Sequence, residues 1–147
     1  MKTFLFAAAT CLGLVVPMAV VALTTGDARA ARALAYDVKF NDSTLPAVPA
    51  QSGPGDRIVL SDSLWREGRS AGRIEGACTV TSVDGTAICN ASLMLNDGTI
   101  AIQFIDAPPP SSEFAVVGGT GAYEGLAGSG MLIQRGDETG VLTLTLG

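Results

Sequence analysis

Short stretches in which apolar and polar residues alternate follow one another along most of the chain. The clearest are Ala87–Leu95 and Thr139–Leu146, and a period of two is typical of a β-strand with one buried face. Similar patterns occupy residues 34–40, 56–63, 72–81, 99–105, 113–117 and 129–134. After residue 30 the sequence has no convincing helical period. Eight short strands predict an all-β domain, and we favour an eight-stranded antiparallel β-barrel over a sandwich.

Turn-forming residues separate these predicted strands. Residues 41–55 form a loop with three prolines and two glycines, and residues 65–70 form a charged turn. Trp65 lies at this turn, where we expect it to act as a hydrophobic plug at one end of the barrel. The interior of an eight-stranded barrel either fills with side chains or holds one small ligand. Small residues in several strands leave room for a ligand or ease the coiling of the strands.

The most informative segment is residues 116–125, which contains Gly118, Gly119, Gly121 and Gly125. Glycine tolerates positive φ and close backbone approach, so this segment predicts a tight corner between two strands. A phosphate-binding loop is the alternative. The glycine spacing is not that of a dinucleotide fingerprint, and neither Gly-Lys-Ser/Thr nor a helix pattern follows. We therefore prefer the structural corner.

The first thirty residues have the pattern of an export signal. Lys2 precedes a long apolar run, and Ala28-Arg29-Ala30 matches a signal-peptidase site. A second such triplet at residues 31–33 leaves the cleavage position open, and an uncleaved segment would be an N-terminal membrane anchor. We expect residues 1–30 to be removed. Residues 31–147 would then form a single secreted or periplasmic domain with no membrane contact.

Charge and cysteine content agree with export. The chain has 9 basic and 14 acidic residues and no basic run, which argues against nucleic acid as a partner. Cys11 leaves with the signal, so only Cys78 and Cys89 remain. A four-residue turn at residues 82–85 would place them directly opposite each other, whereas a two-residue turn would make the pair diagonal. We predict a disulfide in an oxidising compartment, with a small apolar thiol in a lined cavity as the alternative.

The side-chain inventory limits the chemistry. The chain has no histidine, so we expect neither Ser-His-Asp or Cys-His catalysis nor a transition-metal site. Carboxylates, tyrosines and cationic side chains remain, and these can position a substrate and transfer protons. We single out Asp37, which lies between Tyr36 and Val38 in a mostly apolar strand. Its side chain either faces water or points into the barrel, where burial would suit it to acid–base work.

Four segments also match a known pattern in their order and spacing. They are residues 55–59 (GDRIV), residues 72–80 (GRIEGACTV), residues 97–100 (DGTI) and residues 115–125 (AVVGGTGAYEG). In these segments the chain resembles the allene oxide cyclase and dirigent barrel family. The resemblance implies a calycin-like, eight-stranded barrel with an apolar cavity, assembly into homo-dimers or homo-trimers, and no metal or organic cofactor. The cyclases fold a reactive epoxide into a cyclopentenone, and dirigent proteins steer reactive phenolic intermediates.

The resemblance carries over to few individual residues. The segment from Tyr36 to Lys39 looks like the Tyr-Glu-x-Asn pattern of the cyclases, which makes Asp37 the candidate catalytic carboxylate, although Lys39 replaces the asparagine. Cys78 matches a cavity cysteine of the cyclases, and Phe104 is a further candidate for the lining. Tyr36, Lys39, Cys78 and Phe104 are therefore the candidate substrate-binding residues.

These observations lead to one leading hypothesis and two alternatives. The leading one is an exported barrel that binds a small apolar or phenolic molecule and guides its cyclisation or isomerisation. The first alternative is a lipocalin-like carrier without turnover, and the second is a structural or interaction barrel with a closed interior. Fold alone does not decide among them, because one fold hosts many functions.

Overall fold

The computed structural model describes residues 31–41, 52–107 and 111–147, which form a closed antiparallel β-barrel. Each strand pairs with its neighbours in sequence, and the last strand pairs with the first. The strands are β1 (Arg32–Lys39), β2 (Arg57–Arg66), β3 (Arg69–Val80), β4 (Ala87–Leu95), β5 (Gly98–Asp106), β6 (Ser111–Gly121), β7 (Gly128–Gln134) and β8 (Thr139–Leu146). This confirms the predicted fold class. The predicted signal segment, residues 1–30, lies outside the described residues.

The alternation of each strand decides which side chains enter the barrel. In β1, Leu34, Tyr36 and Val38 are buried, whereas the residues between them are exposed. β8 follows the same rule, with Leu142 and Leu144 buried among its inward-facing side chains. The inward-facing residues of all eight strands form one apolar core. Within the described residues, no helix has the length and hydropathy that a membrane crossing requires.

The turn between β2 and β3 is shorter than the sequence predicts. The strands continue to Arg66 and from Arg69, and the connection is the pair Glu67-Gly68, both with positive φ (52° and 73°). Two residues with positive φ suit the right-handed twist of a β-hairpin. Trp65 is consequently part of β2, where it lies opposite Asp37 on the outer face and is 39% exposed. The expectation that Trp65 plugs the barrel is wrong.

Tyr123 occupies the position expected for a plug. Its side chain is 2% exposed, and its hydroxyl donates a hydrogen bond to Asp97 Oδ1 at 2.7 Å. The Arg32 guanidinium lies 5.1 Å from the ring centroid and 3.7 Å from Asp97 Oδ2. Burial and the bond to Asp97 raise the pKa of the Tyr123 hydroxyl well above its usual range, so it stays a neutral donor. We call the end of the barrel formed by Arg32, Asp97 and Tyr123 the closed end.

The glycine segment makes room for Tyr123, but the corner begins later than predicted. β6 runs through Gly118 and Gly119 as extended strand and ends at Gly121, which has positive φ (62°), as does Gly125 (70°). A Cβ on Gly119 would lie 2.8 Å from the Cβ of Tyr123 and 2.6 Å from its carbonyl oxygen. No atom lies within 4 Å of a Cβ built on Gly118. Of the adjacent pair Gly118 and Gly119, only Gly119 is therefore required by close packing.

The predicted disulfide is present. Cys78 of β3 and Cys89 of β4 lie directly opposite each other with a Cα–Cα distance of 4.0 Å, and their sulfurs are bonded. Thr81 donates its backbone N–H to Thr86 at 2.8 Å, which leaves the four-residue loop 82–85 between the strands. This confirms the direct pairing rather than the diagonal one.

Candidate functional site

A cavity of about 70 Å³ lies inside the barrel, at the end opposite Tyr123. It is where β1, β5 and β7 end and where β6 begins. The lining residues are Phe40, Leu60, Asp62, Ile74, Cys78, Ile102, Phe104, Asp106, Ser112, Phe114, Leu132, Gln134 and Leu142. We call this the cavity end. Its wall is mostly aliphatic and aromatic, with a few polar groups, as in sites for small organic molecules.

Asp62 contributes one carboxyl group to the wall. It is in phase with Leu60 and Leu64 on β2, so the strand directs its side chain inward, and it is 5% exposed. The backbone N–H of Asn41 donates to Asp62 Oδ1 at 3.2 Å, and Asp62 has other interactions besides this one. A buried carboxyl group needs such donors because desolvation of a charge is costly.

Asp106 contributes the second carboxyl group, from the last residue of β5. The hydroxyl of Ser112, which is 8% exposed on β6, donates to Asp106 Oδ1 at 3.1 Å. Burial raises the pKa of Asp106 above its usual value of 3.8, and the hydrogen bond from Ser112 offsets part of this rise. Asp106 therefore holds its proton more readily than an exposed aspartate does, which suits a proton donor.

Aromatic rings form much of the apolar wall. Phe104 and Phe114 lie directly opposite each other on β5 and β6. Gly130 of β7 leaves space for the Phe114 ring, since a Cβ there would clash with the ring and with backbone. Phe40 lies at the mouth of the cavity, and its backbone N–H donates to the carbonyl oxygen of Glu138 at 2.8 Å. A Cβ added to Gly140 would lie only 2.9 Å from the Phe40 ring. Two glycines thus position two of the three rings.

The charge of the cavity is one-sided. The described residues that line it include two carboxyl groups and neither lysine nor arginine. Among the described residues, no three acidic or sulfur side chains come together in a way that could hold a metal ion.

Two of the predicted site residues line this cavity, and three do not. Cys78, bonded to Cys89, and Phe104 belong to the lining. Tyr36 is buried in the core but lies by the seam between β1 and β2, outside the cavity. Asp37 and Lys39 are exposed on the outer face of β1. A role in the cavity would require these two side chains to point into the barrel. They point outward instead, because the odd-numbered residues of β1 lie on its outer face.

Sequence reasoning missed both cavity acids, although a signal was present. Asp62 lies on the same face as Ile58, Leu60 and Leu64, and Asp106 is in phase with Ile102 and Phe104. A carboxylate on the apolar face of a predicted strand is the pattern that identifies an interior acid. Ser112 is likewise a polar residue in phase with the buried Phe114 and Val116 of β6.

Comparison with solved structures places the barrel among dirigent-like folds. A pyocyanin demethylase matches with a TM-score of 0.69 and 23% identity over 79% of this chain and 100% of that one. Two pterocarpan synthase dirigent proteins match with TM-scores of 0.65 and 0.62 and identities of 19% and 17%. These cover 79% and 80% of this chain and 86% and 95% of theirs. No family model matches the sequence, and no curated protein does. At such identities the likeness establishes the fold alone.

Proposed function

We propose that this protein is an exported barrel that binds a small, largely apolar molecule at the cavity end and guides its cyclisation or isomerisation. The observation that carries the proposal is the presence of two carboxyl groups, Asp62 and Asp106, in the wall of an otherwise apolar cavity. Carboxyl groups are costly to bury, and a cleft that contains an acid with a perturbed pKa, as Asp106 has, is a candidate for proton-transfer chemistry.

The chemistry needs only the residues on the wall. Cyclisation and isomerisation leave the atoms of the substrate unchanged, so a proton given at one position must be recovered at another. Asp106, whose pKa is raised by burial, gives the proton, and Asp62 accepts one from the substrate. The aromatic wall holds the apolar body of the substrate in a reactive conformation and excludes water. Ser112 holds the Asp106 carboxyl in place through its hydrogen bond.

The size of the cavity defines what enters it. A cavity of about 70 Å³ has room for roughly five water molecules. This volume accommodates a fragment of a ligand rather than a whole drug-sized molecule. The reactive end of the substrate therefore lies between the acids, and the rest extends through the mouth beside Phe40. The names of the structural neighbours, a demethylase and two pterocarpan synthases, are those of proteins that act on small organic molecules, which supports the same class here.

The same small volume favours a second candidate function, a structural or interaction barrel with a closed interior. Pockets for small molecules commonly span roughly 300–1,000 Å³, and this cavity is smaller. The lipocalin-like carrier remains the intermediate case, in which the cavity binds but no reaction follows.

One experiment separates these functions. Purified protein and its Asp106→Asn and Asp37→Asn variants are incubated with small-molecule extract from the source cells, and bound and free fractions are compared by mass spectrometry. We expect wild type and Asp37→Asn to replace one feature by an isomer of identical mass, and Asp106→Asn to lose this conversion. If Asp37→Asn loses it and Asp106→Asn retains it, the reaction does not use the cavity acids. Retention of an unchanged feature identifies a carrier, and retention of nothing identifies a closed barrel.

Export is part of the proposal and has its own support. A disulfide joins Cys78 to Cys89, which fits an oxidising compartment, and the expected signal precedes the barrel. Sequencing the N-terminus of protein recovered outside the cytoplasm tests it, and we expect Ala31 as the first residue. A chain that begins at Met1 and stays with the membrane fraction would identify an anchored form instead.

A further inference from the structure

We propose that Gln134 and Asp106 together bind the oxygen of a carbonyl group, so that the ligand of the cavity end is a neutral ketone or aldehyde with a small apolar body. This inference rests on the proposed function and names the substrate class of the same site. Its starting point is Gln134, a polar side chain of the wall that the proton transfer between the two acids does not use.

The phase of β7 directs Gln134 into the barrel. Leu132 precedes it on the same face and lines the same cavity, whereas Ile133 between them is 42% exposed. Within the described part of the chain, the side-chain amide of Gln134 has no hydrogen-bond partner. Its two N–H donors and its oxygen are therefore available to a ligand, and most amides in such half-buried positions do have a partner.

Strand pairing brings Gln134 near the hydrogen-bonded pair of Ser112 and Asp106. Ser112 of β6 lies directly opposite Leu132 of β7, so Gln134 is its diagonal neighbour on the inner face. Diagonal neighbours on one face of a sheet are about 7–8 Å apart, a separation that long side chains can span. Because Ser112 donates to Asp106 Oδ1 at 3.1 Å, the carboxyl group of Asp106 and the amide of Gln134 border the same part of the cavity.

The hydrogen-bonding capacity of these two groups selects a ligand atom that accepts. The hydroxyl of Ser112 occupies one oxygen of Asp106, and burial favours the protonated carboxyl, whose O–H can then donate from the other oxygen. The amide of Gln134 supplies a second donor. A carbonyl oxygen has two lone pairs for these two bonds and brings no charge, which suits a neutral acid. A buried carboxylic acid that stays neutral and donates to a carbonyl oxygen is an established arrangement in isomerases.

The proposed reaction distinguishes a carbonyl compound from an alcohol, because a carbonyl group acidifies the C–H bonds beside it. Asp62 takes one of these hydrogens as a proton, and the C–H electron pair forms a carbon–carbon double bond. The π pair of the carbonyl group takes the proton of Asp106, which gives an enol. Asp62 then returns its proton to a different carbon or to the other face, and the enol returns its O–H proton to Asp106. The product is an isomer of the same mass, and Gln134 binds the oxygen throughout without transferring a proton.

Two probes separate recognition of the oxygen from filling of the cavity. Butanone and 2-methyl-1-butene share one skeleton and differ only in that a CH₂ group replaces the carbonyl oxygen, and both are small enough for a cavity of about 70 Å³. Each is titrated into ¹⁵N-labelled protein, and binding is followed by the backbone amide shifts of cavity residues. Gln134→Met keeps an unbranched side chain of similar length and removes its amide. Gln103→Met is the matched control, because Gln103 is exposed on the outer face of β5, where it donates to Asn90 at 3.0 Å.

We expect Gln134→Met to weaken the binding of butanone about fivefold, the ratio that one neutral hydrogen bond supplies, and to leave the binding of 2-methyl-1-butene unchanged or tighter. Gln103→Met should bind both probes as wild type does. In the mass-spectrometric experiment on cell extract, the feature that wild type converts to an isomer should form an oxime with hydroxylamine, which identifies a carbonyl group in the natural substrate.

The results that would overturn the inference differ from those that would overturn the proposed function. If Gln134→Met weakens both probes equally, or if Gln103→Met causes the same loss of butanone binding, the Gln134 amide does not bind the oxygen, while binding of small molecules stands. A converted feature that forms no oxime would leave the isomerisation in place and exclude the carbonyl class. If neither probe shifts the cavity amides and the extract yields no isomer, the inference and the proposed function both fail.

Discussion

At the closed end of the barrel, the Tyr123 hydroxyl donates to Asp97, and the Arg32 guanidinium lies over the ring and beside the same carboxylate. At the cavity end, Asp62 and Asp106 lie in the wall of a space bordered by phenylalanine rings. Both ends bring polar groups into an apolar barrel. At the closed end a large side chain fills the interior and its polar atom reaches a half-exposed partner, whereas at the cavity end the acids border unfilled space.

This difference separates the end of the barrel that contributes to stability from the end that holds the candidate site. A hydroxyl that donates to a carboxylate and is packed on all sides stabilises the barrel. A carboxyl group beside a cavity costs free energy when it ionises, because the wall solvates the charge less well than water does. The closed end therefore holds the barrel together, and the cavity end keeps Asp106 at a cost to stability. Each prediction below changes one end and asks whether the other behaves differently.

The largest expected effect follows from removal of the Tyr123 ring. Tyr123→Ala should lower the free energy of unfolding by about 3–5 kcal/mol, because it removes a fully buried aromatic side chain and leaves a void. Phe104→Ala at the cavity end should cost only about 1–2 kcal/mol, since that ring is half-buried and already borders empty space. Urea unfolding of both variants measures the two losses. Equal losses would mean that the two ends do not differ in packing.

Removal of the disulfide should have the next largest effect. Cys78 and Cys89 are 11 residues apart, and closing a loop of that length stabilises a fold by about 3 kcal/mol in the chain-entropy treatment. We expect the double variant Cys78→Ala/Cys89→Ala to lose about this much in urea unfolding. Hydrogen exchange should rise first in the neighbouring amides of β3 and β4 at the cavity end. Wild type in reductant is the control, and exchange that rises first around Tyr123 would contradict the expected location.

Two adjacent glycines test whether contact with Tyr123 stabilises the closed end. Gly119→Ala should destabilise the barrel by about 1–3 kcal/mol, because the new Cβ would overlap Tyr123 and the carbonyl of Thr99. Gly118→Ala should change stability by no more than about 0.5 kcal/mol, since that position has open space. Both residues lie in the same strand, so each variant is the control for the other in thermal unfolding. A similar loss for both would show that strand conformation rather than contact with Tyr123 requires the glycines.

Much of the fold could be predicted from the sequence, because it depends on local alternation. Ala87–Leu95 and Thr139–Leu146 are strands with the bounds that the pattern predicts, and the turn between Cys78 and Cys89 has the length that pairs them. The glycine segment predicts a corner but not its purpose, since the need for Gly119 arises from contact with Tyr123 in three dimensions.

The candidate site was less predictable, for two different reasons. The phase of β1 places Asp37 with the exposed residues and so indicates an outer position, a signal that the family resemblance outweighed. The phase of β2 likewise places Asp62 with buried leucines, and this information lies in the sequence. The hydrogen bond between Ser112 and Asp106 could not be predicted from the sequence. Residues 107–110 separate the two strands, and no local pattern determines where the two side chains meet.

The smallest expected effect tests the cost of the cavity acid. Burial raises the pKa of Asp106 in the folded protein above its ordinary value of 3.8, so the folded state binds the proton more tightly than the unfolded state does. Wild type should therefore lose stability as the pH rises from about 3.8 through this raised pKa, and Asp106→Asn, which cannot ionise, should lack that loss. We expect the variant to gain stability relative to wild type between pH 4 and pH 7 in urea unfolding. Glu113→Gln, on the exposed face beside Ser112, should show no comparable gain. A difference between Asp106→Asn and wild type that stays constant with pH would mean that the cavity end bears no cost for its carboxyl group, and the contrast with the closed end would be lost.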